Sequence, residues 1–600
     1  MSTHADRLAA LRAQLEQMRL DGFVVPLTDE HMSEYVGDYA QRLAWLTGFQ
    51  GSAGAAVVLK HEAAIFTDGR YTLQVREQVS GDHWSYVAVP ETSTADWLGA
   101  HAPEASRIGY DPWLHTRDWV RQARAALAGR GGELVPVTAN PLDALWTDRP
   151  QPSAARLEPY DDARAGLSSA AKRAAIGDWL GEQGVDAVVL SALDSIAWTL
   201  NVRGRDVTHT PVALAYAIVN ADGTADLFVA PEKLNEAVRQ HLGNAVRVHP
   251  RDAFSEALAG YDGKRVAADP ERAVAAILDA LEAGGATVLA VRDPTVIAKA
   301  MKNPTEIARH RAAQARDAVA MTRFLRWIEA QAPTGTQDEL SAAARLEAFR
   351  RETGALDDLS FDTISATGAH GAIPHYKVTP ESNAPIRDGE LYLIDSGGQY
   401  ADGGTTDITR VVPVGTPTPE MRDRFTRVLK GHIAVARAIF PEGTTGAQID
   451  ALARAPLWEA GLDFAHGTGH GVGAYLSVHE GPQRIAKPSY PGGGPAEPLR
   501  AGMFLSNEPG YYKAGRYGIR IENLLLVVPC EIAGAEQPML GFETLTFAPI
   551  ERMLIEPALL RADERAWIDD YHAAVLALVG PQLAADEAAW LAGKCAPLAD

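Results

Sequence analysis

The sequence predicts a multidomain protein of the mixed α/β class, two α/β units followed by an α+β unit. Three observations carry this expectation. The chain has 600 residues, and at ~150 residues per domain that length divides into three or four domains. A helix–glycine–strand pattern occurs twice in the first half, at Leu15 to Pro26 and at Trp179 to Leu190, as it would in a duplicated α/β unit. Beyond Asp293-Pro294, long amphipathic patterns alternate with short apolar, β-branched runs.

Taken in order, Leu8, Leu11, Leu15 and Met18 fall at helical spacing, and Asp21-Gly22 leads into a short apolar strand, Phe23 to Pro26. Leu43 to Gly48, Ala55 to Leu59, Ala63 to Phe66 and Thr67-Asp68-Gly69-Arg70 continue the alternation. In the second copy Gly184 is read as answering Gly22, and Ala197 to Gly204 as answering Ala44 to Gly48. The Pro- and Arg-rich stretch Asp148 to Pro159 separates the copies. The expected domains are 1–154, 155–298 and 299–600. Asn303-Pro304-Thr305-Glu306 opens a long helix through Ile307, Ala318, Met321, Leu325 and Ile328, and Thr336 with Glu339 reads as a capping box for the next. Lys487 to Pro498 reads as a loop. A helical extension is expected over about 551–600, with Trp567, Tyr571, Ala574 and Leu576 on its packed face.

Composition excludes some functions. A formal charge of -21 argues against nucleic acid or an anionic membrane as partner, since both need a basic face. Cys530 and Cys595 are the only cysteines, so no disulfide framework is expected and a reducing compartment is. The N-terminus lacks the apolar core of a secretory signal, and no run approaches the ~20 apolar residues of a membrane span. The expected location is the cytoplasm.

Chemistry concentrates in the last unit. Leu391 to Val414 reads as a hairpin around Asp402-Gly403-Gly404, with Asp395 and Asp407 on its two arms. Aspartates there are either turn or edge residues, or they face a cation or each other. His466-Gly-Thr-Gly-His470-Gly-Val-Gly473 has four glycines in eight residues, a pattern that lets backbone pass close to something and holds two imidazoles at a bend. His479 follows in Val478-His479-Glu480-Gly481-Pro482. Glu508 ends the apolar run from Met503, and Glu522 is expected within a strand, Tyr517 to Val528, buried on both faces. Arg520 could neutralise Glu522 as a buried ion pair, which would leave Asp395, Asp407, His470 and Glu508 without a shared cause. Four carboxylates and one imidazole suit two divalent ions of the Mn, Co, Zn or Fe type. Two such ions roughly 3.5–4 Å apart can share a hydroxide, the chemistry of metal-assisted amide hydrolysis.

At these residues the chain resembles the "pita-bread" metallopeptidases, a superfamily that includes methionine aminopeptidase, prolidase and aminopeptidase P. The segments IDSGGQY…TTDITR, HGTGHGVG…VHEGP, NEPGYY and GIRIEN are most similar to the long, three-domain Xaa-Pro aminopeptidases. The resemblance spans essentially the whole chain and implies two creatinase-like N-terminal domains before a pita-bread catalytic domain. It implies that Asp395 binds one metal, His470 and Glu508 the other, and that Asp407 and Glu522 bridge. It places His375 and His479 beside the substrate, puts His466 in the same pocket, makes Glu508 the general base, and has Arg70 reach substrate from the first domain. Two ions per chain are implied, Mn2+ first and Co2+, Zn2+ or Fe2+ as alternatives. The implied partners are peptides with proline second, and a second copy of the chain in a homodimer.

One departure bears on the site. The family usually reads DGTTD, whereas Asp402-Gly403-Gly404-Thr405-Thr406-Asp407 has one more glycine. The expected accommodation is a longer turn or a bulge, which keeps both arms in register, since a second glycine tolerates any φ; a shifted strand would flip Asp407 to the other face. Pro374 before His375 is a second local difference. The expected reaction is removal of an N-terminal residue from peptides with proline second. The rival readings are a prolidase restricted to Xaa-Pro dipeptides, a metal-free creatinase-type hydrolase, and an inactive pita-bread binding module.

Overall fold

A computed structural model describes residues 3–489 and 493–598. The chain divides into two compact units, Met1–Val296 and Ile297–Asp600. Both are mixed α/β, as the sequence predicts.

The first unit is built on two six-stranded sheets with one topology. In spatial order the first comprises Ser85–Ala88, Ala63–Thr67, Ala55–Leu59, Gly22–Pro26, Arg107–Tyr110 and Glu133–Pro136; the second comprises Val246–His249, Ala225–Val229, Ala215–Asn220, Ala187–Leu190, Arg265–Ala268 and Thr287–Ala290. In each, the third strand runs antiparallel to both neighbours and the remaining pairs are parallel. Helix His4–Gln17 buries Leu8, Leu11 and Leu15.

The register of the repeat differs from the sequence reading. Gly184 is the left-handed cap of helix Ser169–Gln183, and its counterpart is Arg19, also left-handed at φ 56. Arg107 donates from its backbone N–H to Asp21 at 2.8 Å and from Nη1 to the Arg19 carbonyl at 2.9 Å. Arg265 makes the same two bonds, to Asp186 at 2.8 Å and to the Gly184 carbonyl at 2.8 Å. Asp21 thus matches Asp186 and Gly22 matches Ala187. A glycine signal misled because one copy holds the left-handed turn with a non-glycine residue.

The second unit is mainly antiparallel sheet flanked by helices. Asn303 caps helix Pro304–Gln331 at the expected helix start, and Glu306 reaches back to accept from the Asn303 N–H at 2.9 Å, closing a capping box there. The next helix, Glu339–Glu352, is capped by Asp338 rather than Thr336. Glu339 is instead buried as an acceptor for Thr367 N–H and His370 Nδ1. In helix Ala562–Val579, the first of two in the C-terminal extension, the buried residues are Glu564, Ile568, Tyr571, His572, Val575 and Val579. Of the four expected there only Tyr571 is among them, since the packed stripe runs one position off Ala574 and Leu576. Of the expected loop Lys487 to Pro498, positions 490–492 lie outside the described residues, and Gly494–Ala496 forms a single 3-10 turn.

The hairpin that carries both aspartates keeps one register along its length. Strand Leu391–Ser396 pairs with Ile408–Pro413 from Leu391↔Pro413 to Ser396↔Ile408, and Gln399↔Thr405 and Tyr400↔Gly404 continue the same series. The additional glycine is therefore absorbed in the turn 401–403, where Gly403 takes φ 128. The unbroken register sets Asp407 across from Gly397 and Asp395 across from Thr409, so both carboxylates leave the same face.

Candidate metal centre

Five elements deliver the expected side chains to one place. Asp395 comes from strand Leu391–Ser396, and Asp407 immediately precedes strand Ile408–Pro413. His470 is the middle residue of strand Gly469–Gly471, and Glu508 follows strand Phe504–Asn507. Glu522 does not lie within a continuous strand. It occupies the break between Tyr517–Arg520 and Asn523–Pro529, which belong to different sheets. Two strands meeting there free its side chain to leave the sheet plane toward the others. His470 itself lies in a short strand, Gly469–Gly471, while the chain bends at 465, 466 and 468 just before it, so only His466 of the two imidazoles is at a bend. The glycines of the strand serve close approach: a Cβ on Gly469 would overlap the Ser506 carbonyl oxygen, and one on Gly471 would overlap that of Glu480.

His470 Nε2 lies 3.5 Å from Asp407 Oδ2 and 3.5 Å from Glu508 Oε1. Nδ1 faces the Gly471 carbonyl at 2.9 Å. With Nδ1–H donating there, Nε2 turns its lone pair toward carboxylate oxygens, an arrangement that calls for a cation between them. Ligand atoms of Asp407, His470 and Glu522 all lie within 4.8 Å of one another, and all three residues are buried. Asp395 Oδ1 and Asp407 Oδ1 are buried without a hydrogen-bond donor. Burial, reinforced by Asp395, pushes the Asp407 carboxyl well above the usual range. Burial, then Asp407 and Asp395, does the same to Glu522, and burial raises Glu508. Crowded oxygens, an aimed imidazole and orphaned acceptors fit a pair of divalent cations.

Arg520 does not pair directly with Glu522. Its Nη2 donates to Asp395 Oδ2 at 2.6 Å, its Nε to Thr409 Oγ1 at 3.0 Å, and the Thr409 hydroxyl to Glu522 Oε2 at 2.7 Å. Its Nη1 donates to the Tyr512 hydroxyl at 2.7 Å, which lies 2.8 Å from His466 Nε2. His466 is thereby tied to the carboxylates through Tyr512 and Arg520. The ring of His479 stands edge-on to that of His470, centroids 4.3 Å apart. His375 is half-buried in the turn after Gly368–Ala372, and the Gly371 backbone of that turn touches Gly518 in the strand ending on Arg520. Arg70 lies in the first compact unit, ion-paired to Asp68 at 2.7 Å and to Glu34 at 3.7 Å.

Comparison with known proteins accords with this site. Residues 308–529 match the metallopeptidase family M24, 7–150 and 148–306 match creatinase/prolidase N-terminal domains, and 538–598 match the C-terminal region of peptidase M24. A probable Xaa-Pro aminopeptidase P from Laccaria bicolor is 40% identical over 99% of this chain and 93% of its own. The chain belongs to metallopeptidase family M24. Aminopeptidase P2 from Arabidopsis thaliana is 39% identical over 99% of this M24 chain and 88% of its own. The X-prolyl aminopeptidase of Caenorhabditis elegans, described as a cytosolic enzyme with a di-nuclear active site, superposes with a TM-score of 0.94 at 35% identity, covering 100% of both chains.

In this M24 member the sequence reading missed the residues that hold the ligands. His432, buried in helix Pro419–Ala436, lies 3.1 Å from the Asn507 carbonyl through Nδ1 and 3.2 Å from Asn523 Nδ2 through Nε2. It thus joins the residue before Glu508 to the residue after Glu522. Arg410 donates to the Glu522 carbonyl at 2.7 Å, to Asn523 Oδ1 at 2.8 Å and to the Tyr571 hydroxyl at 2.9 Å. Thr409, Arg410 and Tyr512 stand inside motifs already singled out, so their neighbourhood was a signal; His432 has none.

Proposed function

We propose that the chain is a metal-dependent Xaa-Pro aminopeptidase, which hydrolyses the bond between an N-terminal residue and a penultimate proline. The observation that carries this is the buried convergence of Asp395, Asp407, His470, Glu508 and Glu522, with Arg520 as the guanidinium bonded to it. Full-length similarity to proteins named Xaa-Pro aminopeptidase P favours it over a dipeptide-only prolidase or an inactive module.

In this reading Asp395 would serve one divalent ion, His470 and Glu508 the other, and Asp407 and Glu522 would serve both. When bound, the ions supply Lewis acidity, polarising a carbonyl and making water a nucleophile at neutral pH. Glu508 takes the proton from the attacking water. His375 stands beside the substrate, His479 binds the scissile carbonyl or helps to shuttle protons, and His466, held through Tyr512, lines the pocket. The carboxylates also anchor the free amine of the substrate. A bond before proline is a tertiary amide without N–H, so a pocket shaped to its ring selects substrates that ordinary peptidases handle poorly.

The reading extends to domains at 1–154, 155–298 and 299–600, Arg70 as a substrate contact, Mn2+ as the metal, a homodimer and a cytoplasmic location. Among the described residues no helix is long and apolar enough to cross a membrane. The test combines metal analysis of protein purified without added metal with a panel of Xaa-Pro-Yaa tripeptides and Xaa-Pro dipeptides. Release of the first residue from tripeptides, abolished by chelation and restored by Mn2+, is the expected result. Turnover that survives chelation overturns the metal mechanism.

A further inference from the structure

Glu480, the neighbour of His479, is buried with a lysine on each carboxylate oxygen. Lys299 Nζ lies 2.8 Å from Oε2, and Lys302 Nζ contacts Oε1. The three side chains are 0–1% exposed. Lys302 Nζ also donates to the Lys299 carbonyl at 2.8 Å, and the Lys302 backbone N–H donates to the Gly502 carbonyl at 2.9 Å. Two lysines on one carboxylate in a dry site are expensive to desolvate, so such a cluster is weak evidence for a gain in stability. What the triad secures is position. Fixed at both oxygens, Glu480 cannot rotate. Its backbone also pairs with Gly471, the residue after His470, so one residue connects the segments carrying both imidazoles.

We propose that Lys299, Lys302 and Glu480 form the positioning device for His479, holding its ring at 4.3 Å from that of His470 and against the substrate. The inference deepens the aminopeptidase reading and rests on it for the role of His479. Both lysines lie at the very start of the second compact unit, so this opening segment belongs to the catalytic apparatus and is more than a connector.

The test uses the full-length, Mn2+-loaded chain with Arg-Pro-Pro as substrate. Lys299→Met leaves a balanced Lys302–Glu480 pair and is expected to fold with unchanged metal content and Tm. Its kcat is expected to fall about tenfold, short of the ~100-fold that a misplacement of 1 Å can cost, with KM little altered. In a His479→Ala background the same substitution is expected to cost nothing further, because it acts through the ring already removed. A crystal structure of Lys299→Met should show His479 displaced from His470. Wild-type kcat in Lys299→Met, an equal loss in both backgrounds, or an unmoved ring would overturn the proposal. If wild type fails to cleave Arg-Pro-Pro, the aminopeptidase reading falls, and the ring position still decides whether the triad places His479.

Discussion

The second unit buries acids in two ways. Asp317 receives Arg350 Nε at 2.7 Å, Arg350 Nη2 at 3.2 Å and the Tyr400 hydroxyl at 2.7 Å. Glu339 is met by two backbone N–H groups, the Tyr376 hydroxyl and His370. These acids are neutralised or satisfied inside the chain. At the M24 centre four carboxylates crowd together, Arg520 donates to Asp395, and one oxygen each of Asp395 and Asp407 has no donor. The difference teaches that burial alone does not mark a functional acid. A buried carboxylate left short of donors by its own chain does, because such a deficit has to be met from outside.

Breaking each kind of site should have opposite consequences. The largest effect is expected for Asp407→Ala, which should abolish bound metal by elemental analysis. It should also lower kcat/KM by more than the ~10–100-fold typical of losing a partner that only orients a ligand. Arg350→Met should leave the metal content intact but strand Asp317, lowering stability by about 3–5 kcal/mol in denaturant unfolding. Third, pH should separate the two kinds. Asp407, Glu508 and Glu522 have raised values when metal-free. Their stabilisation of the metal-free fold is full below the ordinary carboxylate range and is lost as pH rises through those raised values. Metal needs them ionised, so the gain in Tm on adding Mn2+ should be greatest near neutral pH and shrink as protons compete. The smallest effect is expected from deleting Gly403. Shortening the turn should change stability by less than about 1 kcal/mol, with both metals retained, because the register on either side is already continuous.

The reading from residues was strongest where chemistry is local. The two Asp-bearing arms, the glycine-spaced histidines and the helix start at Asn303 could be recognised because spacing along the chain sets them. It was weakest where a residue answers to a distant partner. Glu339 was read as a cap but bonds Thr367 and Ala384. Arg520 was weighed as a partner for Glu522 and set aside in favour of a shared cation, and what spacing did not show is that it reaches Asp395, 125 positions away.

The amino-acid order alone determined the class of fold, the candidate ligand types and the order in which they occur, since side-chain chemistry and short-range periodicity are properties of the chain. Tertiary structure decided that the hairpin register runs unbroken to either side of Gly403, that Glu522 sits at a break between sheets, and that two lysines grip the residue beside His479. Those outcomes depend on which strands pair and which side chains lose water together, and neither is encoded within any single stretch.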